Sequence, residues 1–399
     1  VFKRLLPLAL ATFAVGTDSY VIAGLLPAIA TDLRVSTPAA GQLVTVFALV
    51  MALSAPIMGA LTSGLDRRSA LLIALSVFVA GNAATALGTT YEVVMIARIV
   101  TAAGAGMINS AASSTAGAIA PPERRGGALA FVLGGLTLAT ALGLPLGTLI
   151  GRTDWHITLW AVAGIGLVAI LGIAFGLPKV RLPAASLGDR LRPLKQGRVL
   201  ALLAVTALSF VGAYTLYTYI GPALEDVTDG SESVLTVILF AWGLGVLAGN
   251  IIAGRLVDRH DPAHVLTGPL AVAAIALALA PVATATLVST LVWAAIWGAA
   301  LGVVVVPQQH RLIALSPAAA PVLLGLNSSA IYAGIALGGG LGGLVQEWFG
   351  VEPASLGLPA AAVTILALLY HLTTARRRAS ATPRQAPSTT EALRDGSRR

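Results

Sequence analysis

The sequence predicts an all-α, polytopic membrane protein with twelve transmembrane helices in two six-helix pseudo-symmetric halves, and three observations carry that prediction. First, 57% of the 399 residues are hydrophobic and only 11% charged, with a mean hydropathy of +0.87. A soluble domain carries about 25% charged residues, so this chain lacks the charge to cover a water-facing surface. A soluble enzyme and a disordered chain are excluded, and with no Cys so is a disulfide scaffold. Second, the apolar residues fall into stretches long enough to cross a bilayer. Third, landmarks recur at one constant offset.

A hydrocarbon core about 30 Å thick needs ~20 apolar residues at a rise of ~1.5 Å each. Twelve stretches qualify: 6–30, 42–63, 69–88, 92–119, 126–151, 157–178, 199–223, 233–256, 263–282, 284–306, 319–346 and 355–373. The basic start and apolar run of 1–30 resemble a signal peptide, but the run is long and holds Asp18 and Pro27, so it reads as the first span. Charge or turn chemistry marks the breaks at Asp32–Arg34, Asp66–Arg68, Gly88–Glu92, Pro121–Arg125, Arg152–Asp154, Glu225–Glu232, Asp258–Pro262, His310–Arg311 and Glu347–Pro353. His310 is expected in a loop, in water. Spans nine and ten are nearly continuous at Pro281. Barrel strands would be about ten residues of alternating polarity, and these are not.

The organisation follows. Residues 1–178 form the first half, 179–198 a basic linker broken by Pro183 and Pro193, 199–374 the second half, and 375–399 a basic tail expected to be disordered. Lys and Arg set orientation. With the N-terminus inside, 22 of the 25 fall in cytoplasmic segments, leaving Arg34 and Arg152 outside and Arg98 within a span. Both termini are therefore expected in the cytoplasm, and the net charge of +8 is an insertion signal, not a nucleic-acid footprint.

At an offset of 195 residues, Pro27-Ala28 meets Pro222-Ala223, Gly59-x-Leu61 meets Gly254-x-Leu256, Asp66 meets Asp261, and ALGLPLGTL (141–149) overlays ALGGGLGGL (336–344). An even number of spans per copy makes the repeat parallel, an arrangement with which transporters rock two halves about a midplane site. In span five, Gly143, Gly147 and Gly151 at four-residue spacing allow close helix approach in lipid, and Pro145 allows a bend. Span eleven repeats the pattern with Gly338 and Gly342. These are the candidate gate and hinge, with ordinary helix packing the alternative reading. Gly338-x-Gly340-x-x-Gly343 also matches a dinucleotide fingerprint, but within a span and with no strand before it.

GALTSGLDRR (59–68), ARIVTAAGAG (97–106) and LGLPLGTLIG (142–151) resemble the three signature motifs of the major facilitator superfamily. GTDSYVIAGLLPAIATDLRVS (16–36) and YTYIGPALEDVT (217–228) resemble its twelve-helix drug–proton antiporters, near the bacterial chloramphenicol-resistance and sugar/arabinose efflux exporters. The resemblance implies a secondary transporter in a bacterial inner membrane, and its span-five motif implies export by antiport. The loop motif departs from the family pattern: Ser63 and Gly64 stand where an acid and a base are expected, with Asp66-Arg67-Arg68 following. The second copy keeps Asp258 and Arg259. Such a loop acid can latch to a base or helix end across the two halves when the outside is open; Asp66 with Arg67, and Asp258 with Arg259, are the candidates.

Two full charges lie deep in the spans, Asp18 and Arg98. Each costs ~2.5–3.5 kcal/mol at a helix centre, so their presence points to use. Counting at helical rise puts Asp18 roughly 18 Å from the inner end of span one and Arg98 roughly 9 Å below the outer end of span four, near one height. Burial favours a neutral acid and a nearby guanidinium favours the carboxylate, so an acid held between the two can take up and release a proton. Asp18 is the expected proton-coupling residue and Arg98 its partner, a static ion pair being the plainer alternative. Tyr20, Asn109, Tyr214, Tyr217, Asn250, Trp293, Asn327 and Tyr332 are the polar or amphipathic candidates for a substrate cavity; each singly reads equally as interhelical glue or an interfacial anchor.

No Ser–His–acid set, His pair or metal cluster falls in the spans, and none of Lys3, Lys179 and Lys195 completes a P-loop. The expectation is therefore no enzyme and no cofactor, but a monomeric, proton-coupled exporter of small amphiphilic molecules such as antibiotics, its partners being substrate, protons and lipid. A sugar or nucleoside efflux transporter or facilitator of the same fold is the alternative.

Overall fold

The computed structural model describes residues 2–62, 64–121, 124–181 and 186–381; Ser63, Pro183 and the tail beyond 381 lie outside them. Helices α1 (Phe2–Asp32), α2 (Thr37–Leu61), α3 (Arg67–Ala86), α4 (Tyr91–Ile119), α5 (Arg125–Ile150) and α6 (Trp155–Gly176) pack into one bundle. Helices α7 (Gly197–Tyr217), α8 (Glu232–Val257), α9 (Pro262–Ala278), α10 (Leu287–Leu315), α11 (Ala320–Phe349) and α12 (Gly357–Ala381) pack into a second. Among the described residues, eleven helices are long and apolar enough to cross a membrane, and α9 is a shorter apolar one. The turn Ala280–Ala283 carries α9 onward past Pro281, so α9 completes the count of twelve. Large apolar side chains such as Phe175 (89% exposed) and Trp348 (72%) stud the outside, as a lipid-facing wall requires.

Local chemistry starts and stops the helices. Asp66 accepts the Ser69 N–H at 3.1 Å to open α3, and Asp261, its counterpart in the repeat, accepts the Ala263 N–H at 2.7 Å to open α9. Thr286 and Ser289 cap α10 reciprocally. Gly350, at φ +62°, ends α11 in the left-handed conformation open to glycine. In α5 the turn Ala139–Gly143 widens to π geometry just before Pro145. Pro145 has no N–H to give the carbonyl four residues back, so the helix re-forms its ladder through a bulge.

Three expectations are corrected. α7 stops at Tyr217, and the chain turns through Thr218 and Tyr219 into Ile220–Ala223, whereas the apolar run to 223 reads as one span. α10 runs unbroken through Pro307 and through the expected break at His310–Arg311 as far as Leu315; His310 is exposed but helical, and Arg311 is buried at 5% exposure. The helix tolerates these residues because Gln308 and Arg311 turn inward to polar partners in the second bundle. Finally, α12 continues to Ala381, so residues 375–381, expected in the tail, are helical.

The two bundles meet along α2 against α11 and α5 against α8. With the 179–198 linker defining one face, closure concentrates toward the other, the far face. α8 packs on Ala139–Ile150 of α5 and barely touches Arg125–Leu138. Thr148 and Thr236 hydrogen-bond across this seam at 3.2 Å. Pro27 of α1 lies against Gly221, where a Cβ would come within 3.2 Å of its ring. Tyr219 donates to the Gly339 carbonyl at 3.0 Å, its ring wedged beside Gly41 of α2.

Candidate functional site

The site grows from the midplane of α1 and α4. Asp18 and Arg98, buried to 0% and 1% exposure, meet with Arg98 Nη1 donating to Asp18 Oδ1 at 2.6 Å. α2 supplies Phe47, whose ring centroid lies 3.9 Å from the guanidinium carbon, a cation–π contact that steadies a charge out of water. From α3, Asn82 stands beside the carboxylate while its amide donates to the Phe78 carbonyl at 3.1 Å. Among the described residues Asp18 Oδ2 and Arg98 Nε find no hydrogen-bond partner, so the pair is incompletely satisfied. The pair is thus enclosed by four helices of the first bundle, and Tyr332 of α11 approaches it from the second.

Around the pair the seam is lined with hydroxyls. Tyr332 adjoins Ser19 and Asn109, and Tyr20 adjoins Tyr214 across the bundles. Tyr214 in turn stands 5.0 Å, ring to ring, from Tyr217. From Tyr217 an aromatic cluster extends into the second bundle: Trp242 at 4.4 Å and Trp297 at 6.4 Å, with Trp293 stacked 5.1 Å from Trp297. Of the eight cavity candidates, the structure therefore brings Tyr20, Asn109, Tyr214, Tyr217 and Tyr332 together at the seam, and Trp293 one ring behind it. Trp293 donates to the Ala276 carbonyl at 2.8 Å, which ties α10 to α9. Asn327 lies elsewhere, accepting from Thr206 at 3.0 Å. Asn250 is half-buried and joins neither group.

The gate candidates repeat as packing. Gly143 of α5 abuts Thr17 of α1, and a Cβ on Gly147 would lie 2.6 Å from a Val21 methyl; Gly151 meets Leu25 and Thr158. Their counterparts at the 195-residue offset do the same to α7: a Cβ on Gly338 would come within 2.6 Å of the Val211 carbonyl, and on Gly342 within 2.5 Å of the Thr215 carbonyl. Among the described residues neither candidate acid, Asp66 or Asp258, forms an ion pair with a base. Asp66 is spent on its cap, where the Ser69 hydrogen bonds hold its carboxyl below the usual range, and the Arg67 N–H donates to the Val180 carbonyl of the linker at 2.8 Å. Asp258 and Arg259 are exposed at the end of α8. From the linker, Arg190 donates to the Gly59 carbonyl at 3.1 Å, and burial lowers its basicity.

The sequence reading missed two groups. Trp242 and Trp297 belong to the aromatic cluster, and the i, i+4 spacing of Trp293 and Trp297 on one helix face was the available signal. A polar network nearer the linker face was also missed. Gln308 donates to the Leu202 carbonyl at 2.7 Å and accepts from Arg311 at 2.8 Å; Arg311 also stands 3.2 Å from His371, whose other ring nitrogen lies 3.1 Å from Thr267. Arg311 and His371 are thus buried in the second bundle, apart from Asp18 and Arg98 in the first, so buried ionisable side chains are not confined to that pair.

A duplicated helical bundle with paired charges and a polar seam at its midplane defines a membrane transporter, not an enzyme. Comparison with known proteins agrees. The model of the Major Facilitator Superfamily matches residues 8–317 and 202–397. The chain is 34% identical over 378 residues to the inner membrane transport protein YdhP of Escherichia coli (strain K12), covering 94% of this chain and 96% of that protein. It is 38% identical over 294 residues to a chloramphenicol resistance protein of Streptomyces lividans, covering 70% of this chain and 74% of that one. In fold it is similar to a D-xylose-proton symporter, with a TM-score of 0.77 at 18% identity, covering 93% of this chain and 97% of the other. The chain belongs to the Major Facilitator Superfamily. It is a multi-pass membrane transporter for a small molecule.

Proposed function

We propose that this transporter is a proton-coupled antiporter exporting small amphiphilic molecules, antibiotics among them, by alternating access. The Asp18–Arg98 pair carries the reading, because Asp18 is the one buried acid among the described residues. When Asp18 is ionised, Arg98 holds it and the pair is neutral as a unit. When Asp18 takes a proton, the 2.6 Å charge-assisted bond weakens and the guanidinium is released toward Phe47 and the seam. Tyr332 of α11 lies against the same group, so the change is felt by the opposite bundle. Cargo at the seam and a proton on Asp18 then become alternative occupants, the requirement for exchange.

The halves 1–178 and 199–374 are the rocking units, with the glycine pairs Gly143/Gly147 and Gly338/Gly342 as their hinges and Gly151 beside them. The Asp66–Arg67 and Asp258–Arg259 loops engage when the far face opens. The excess of Lys and Arg on the linker face supports a cytoplasmic linker and cytoplasmic termini, and the inner-membrane relative supports a bacterial inner membrane. The chloramphenicol-resistance relative supports export of drugs, and the self-contained seam supports action as a monomer.

The test is purified protein in liposomes enclosing a pH-sensitive dye, with chloramphenicol added as cargo. Antiport gives cargo-dependent proton flux in the opposite direction, lost in Asp18→Asn while the protein remains monodisperse. Cargo movement without proton flux would make the chain a facilitator and overturn the proposal.

A further inference from the structure

The aromatic cluster of the second bundle carries an anomaly that packing does not explain. Tyr217, Trp242 and Trp297, on three different helices, are buried to 1%, 2% and 1% exposure. Among the described residues their polar atoms, Tyr217 Oη, Trp242 Nε1 and Trp297 Nε1, find no acceptor; other unpaired buried atoms, such as Thr17 Oγ1 and Asn327 Nδ2, lie elsewhere in the bundles. Native interiors rarely leave even one such donor unpaired, since each has given up water for nothing. Here three occur on rings that touch one another, with Trp242 and Trp297 5.9 Å apart. The neighbouring Trp293, by contrast, is satisfied by the Ala276 carbonyl at 2.8 Å, so this bundle can pair an indole where the ring serves packing alone. Counting from the far ends of α8 and α10, Trp242 and Trp297 each lie ten residues in, roughly 15 Å at helical rise. Tyr20, which meets Tyr214 across the seam, lies twelve residues in from the far end of α1, a similar depth.

The geometry points to these three residues as a cargo subsite that selects uncharged, flat, acceptor-bearing molecules over organic cations; this deepens the transport reading above and rests on it. Ring faces supply stacking, and the three donors supply recognition for carbonyl, nitro or quinone oxygens. An indole N–H is a donor only, so it gains nothing from a cation. Although the faces attract cations in general, a cationic cargo here would bring no acceptor to the orphaned donors. Nor would it find a counter-charge, since the buried acid Asp18 is already paired with Arg98. Cargo of the selected class restores three hydrogen bonds that the empty fold forgoes, and a hydrocarbon of the same shape restores none.

The experiment measures binding to purified wild-type protein in detergent at one pH with no gradient, so that it reads recognition apart from proton coupling. Three probes of similar size are compared by equilibrium dialysis: menadione, a flat neutral quinone; 2-methylnaphthalene, its acceptor-free frame; and N-methylquinolinium, a flat cation. Menadione is expected to bind at least 10-fold tighter than either. Tyr217→Phe keeps its ring and removes only the donor, so it should weaken menadione about 3- to 10-fold and leave 2-methylnaphthalene unchanged. Trp242→Phe and Trp297→Phe lose ring face as well as the donor, so both probes weaken, but the menadione preference over 2-methylnaphthalene should still fall about 3- to 10-fold. Trp293→Phe, whose donor is already used, should leave the preference intact, whatever it does to stability. Tighter binding of the cation, equal binding of quinone and hydrocarbon, no binding of any probe, or donor variants that weaken all probes alike would overturn the assignment. Selective binding by a protein that moves no protons would leave this subsite standing and the antiport reading fallen.

Discussion

The buried pair makes an asymmetric prediction. At 2.6 Å two unit charges attract by ~6 kcal/mol at an effective dielectric of about 20. Removing one partner of such a pair typically costs about 3–5 kcal/mol, because the other charge is stranded. The two partners differ in how they escape. Arg98 cannot shed its proton, so Asp18→Asn leaves a full charge beside Phe47 and should cost the whole ~3–5 kcal/mol at any pH. Arg98→Met leaves a carboxyl that can stay protonated, so its cost is small in acid. That acid is neutral in the fold and ionised once unfolded, so the fold binds more protons than the unfolded chain and stability falls as pH rises. The double variant Asp18→Asn/Arg98→Met strands nothing and should be at least as stable as either single change, giving a coupling energy of about 3–5 kcal/mol. Graded SDS unfolding in mixed micelles at pH 5 and pH 8 measures all four proteins. If both single variants match the wild type, or if the Arg98→Met deficit does not widen between pH 5 and pH 8, the pair does not hold the bundle as described.

Other consequences are more local. Thr148→Val and Thr236→Val each break the 3.2 Å bond that closes the far face, worth ~0.5–1.5 kcal/mol. Each should shift the population toward a far-face-open form about 2- to 10-fold, read by spin-label distances between two cysteines, one introduced in each bundle of this cysteine-free chain. Gly338→Val sets side-chain carbon where a Cβ alone would lie 2.6 Å from the Val211 carbonyl, and the overpacking should cost ~1–3 kcal/mol of stability and lower transport turnover in liposomes. Asp66→Ala removes the α3 cap, costing ~1 kcal/mol at neutral pH. Because the Ser69 bonds hold the Asp66 carboxyl below its ordinary value, that deficit is full above about pH 4 and fades as pH falls through the lowered value; thermal melts across pH 2–7 would show it.

The fold was legible because lipid imposes a coarse rule: a helix must be about twenty apolar residues long whatever its neighbours are. The pair was legible for a related reason, since charges in hydrocarbon are costly enough to be few, and counting at helical rise placed Asp18 and Arg98 at one height. The end of α10 was not. Gln308 and Arg311 carry the polarity of a loop, and only the surrounding Thr206, Leu202 carbonyl and His371 turn that polarity inward. The aromatic subsite was hidden for the opposite reason. Trp242 and Trp297 look identical in a sequence whether they face lipid, headgroups or a pocket, and what distinguishes them is a donor with no acceptor, a property of the packed molecule alone.

That difference between the halves follows from the duplication. The glycine seams survive in both copies, Gly143 and Gly147 packed on α1 matching Gly338 and Gly342 packed on α7, since small residues allow the close helix approach that each half uses. The chemistry has diverged instead. The first copy holds the charge pair, and the second holds the aromatic rings with their orphaned donors. The proposed coupling needs a contact between the two, and among the described residues Tyr332 reaches toward Asp18 and Tyr20 toward Tyr214. Tyr332→Phe keeps the ring and removes the hydroxyl that joins Ser19 and Asn109. It should therefore leave cargo binding within about 3-fold, the effect of one lost hydrogen bond, while lowering the number of protons exchanged per cargo molecule in liposomes. Unchanged stoichiometry in that variant would mean that the two chemistries communicate through the rigid motion of the bundles and not through these hydroxyls.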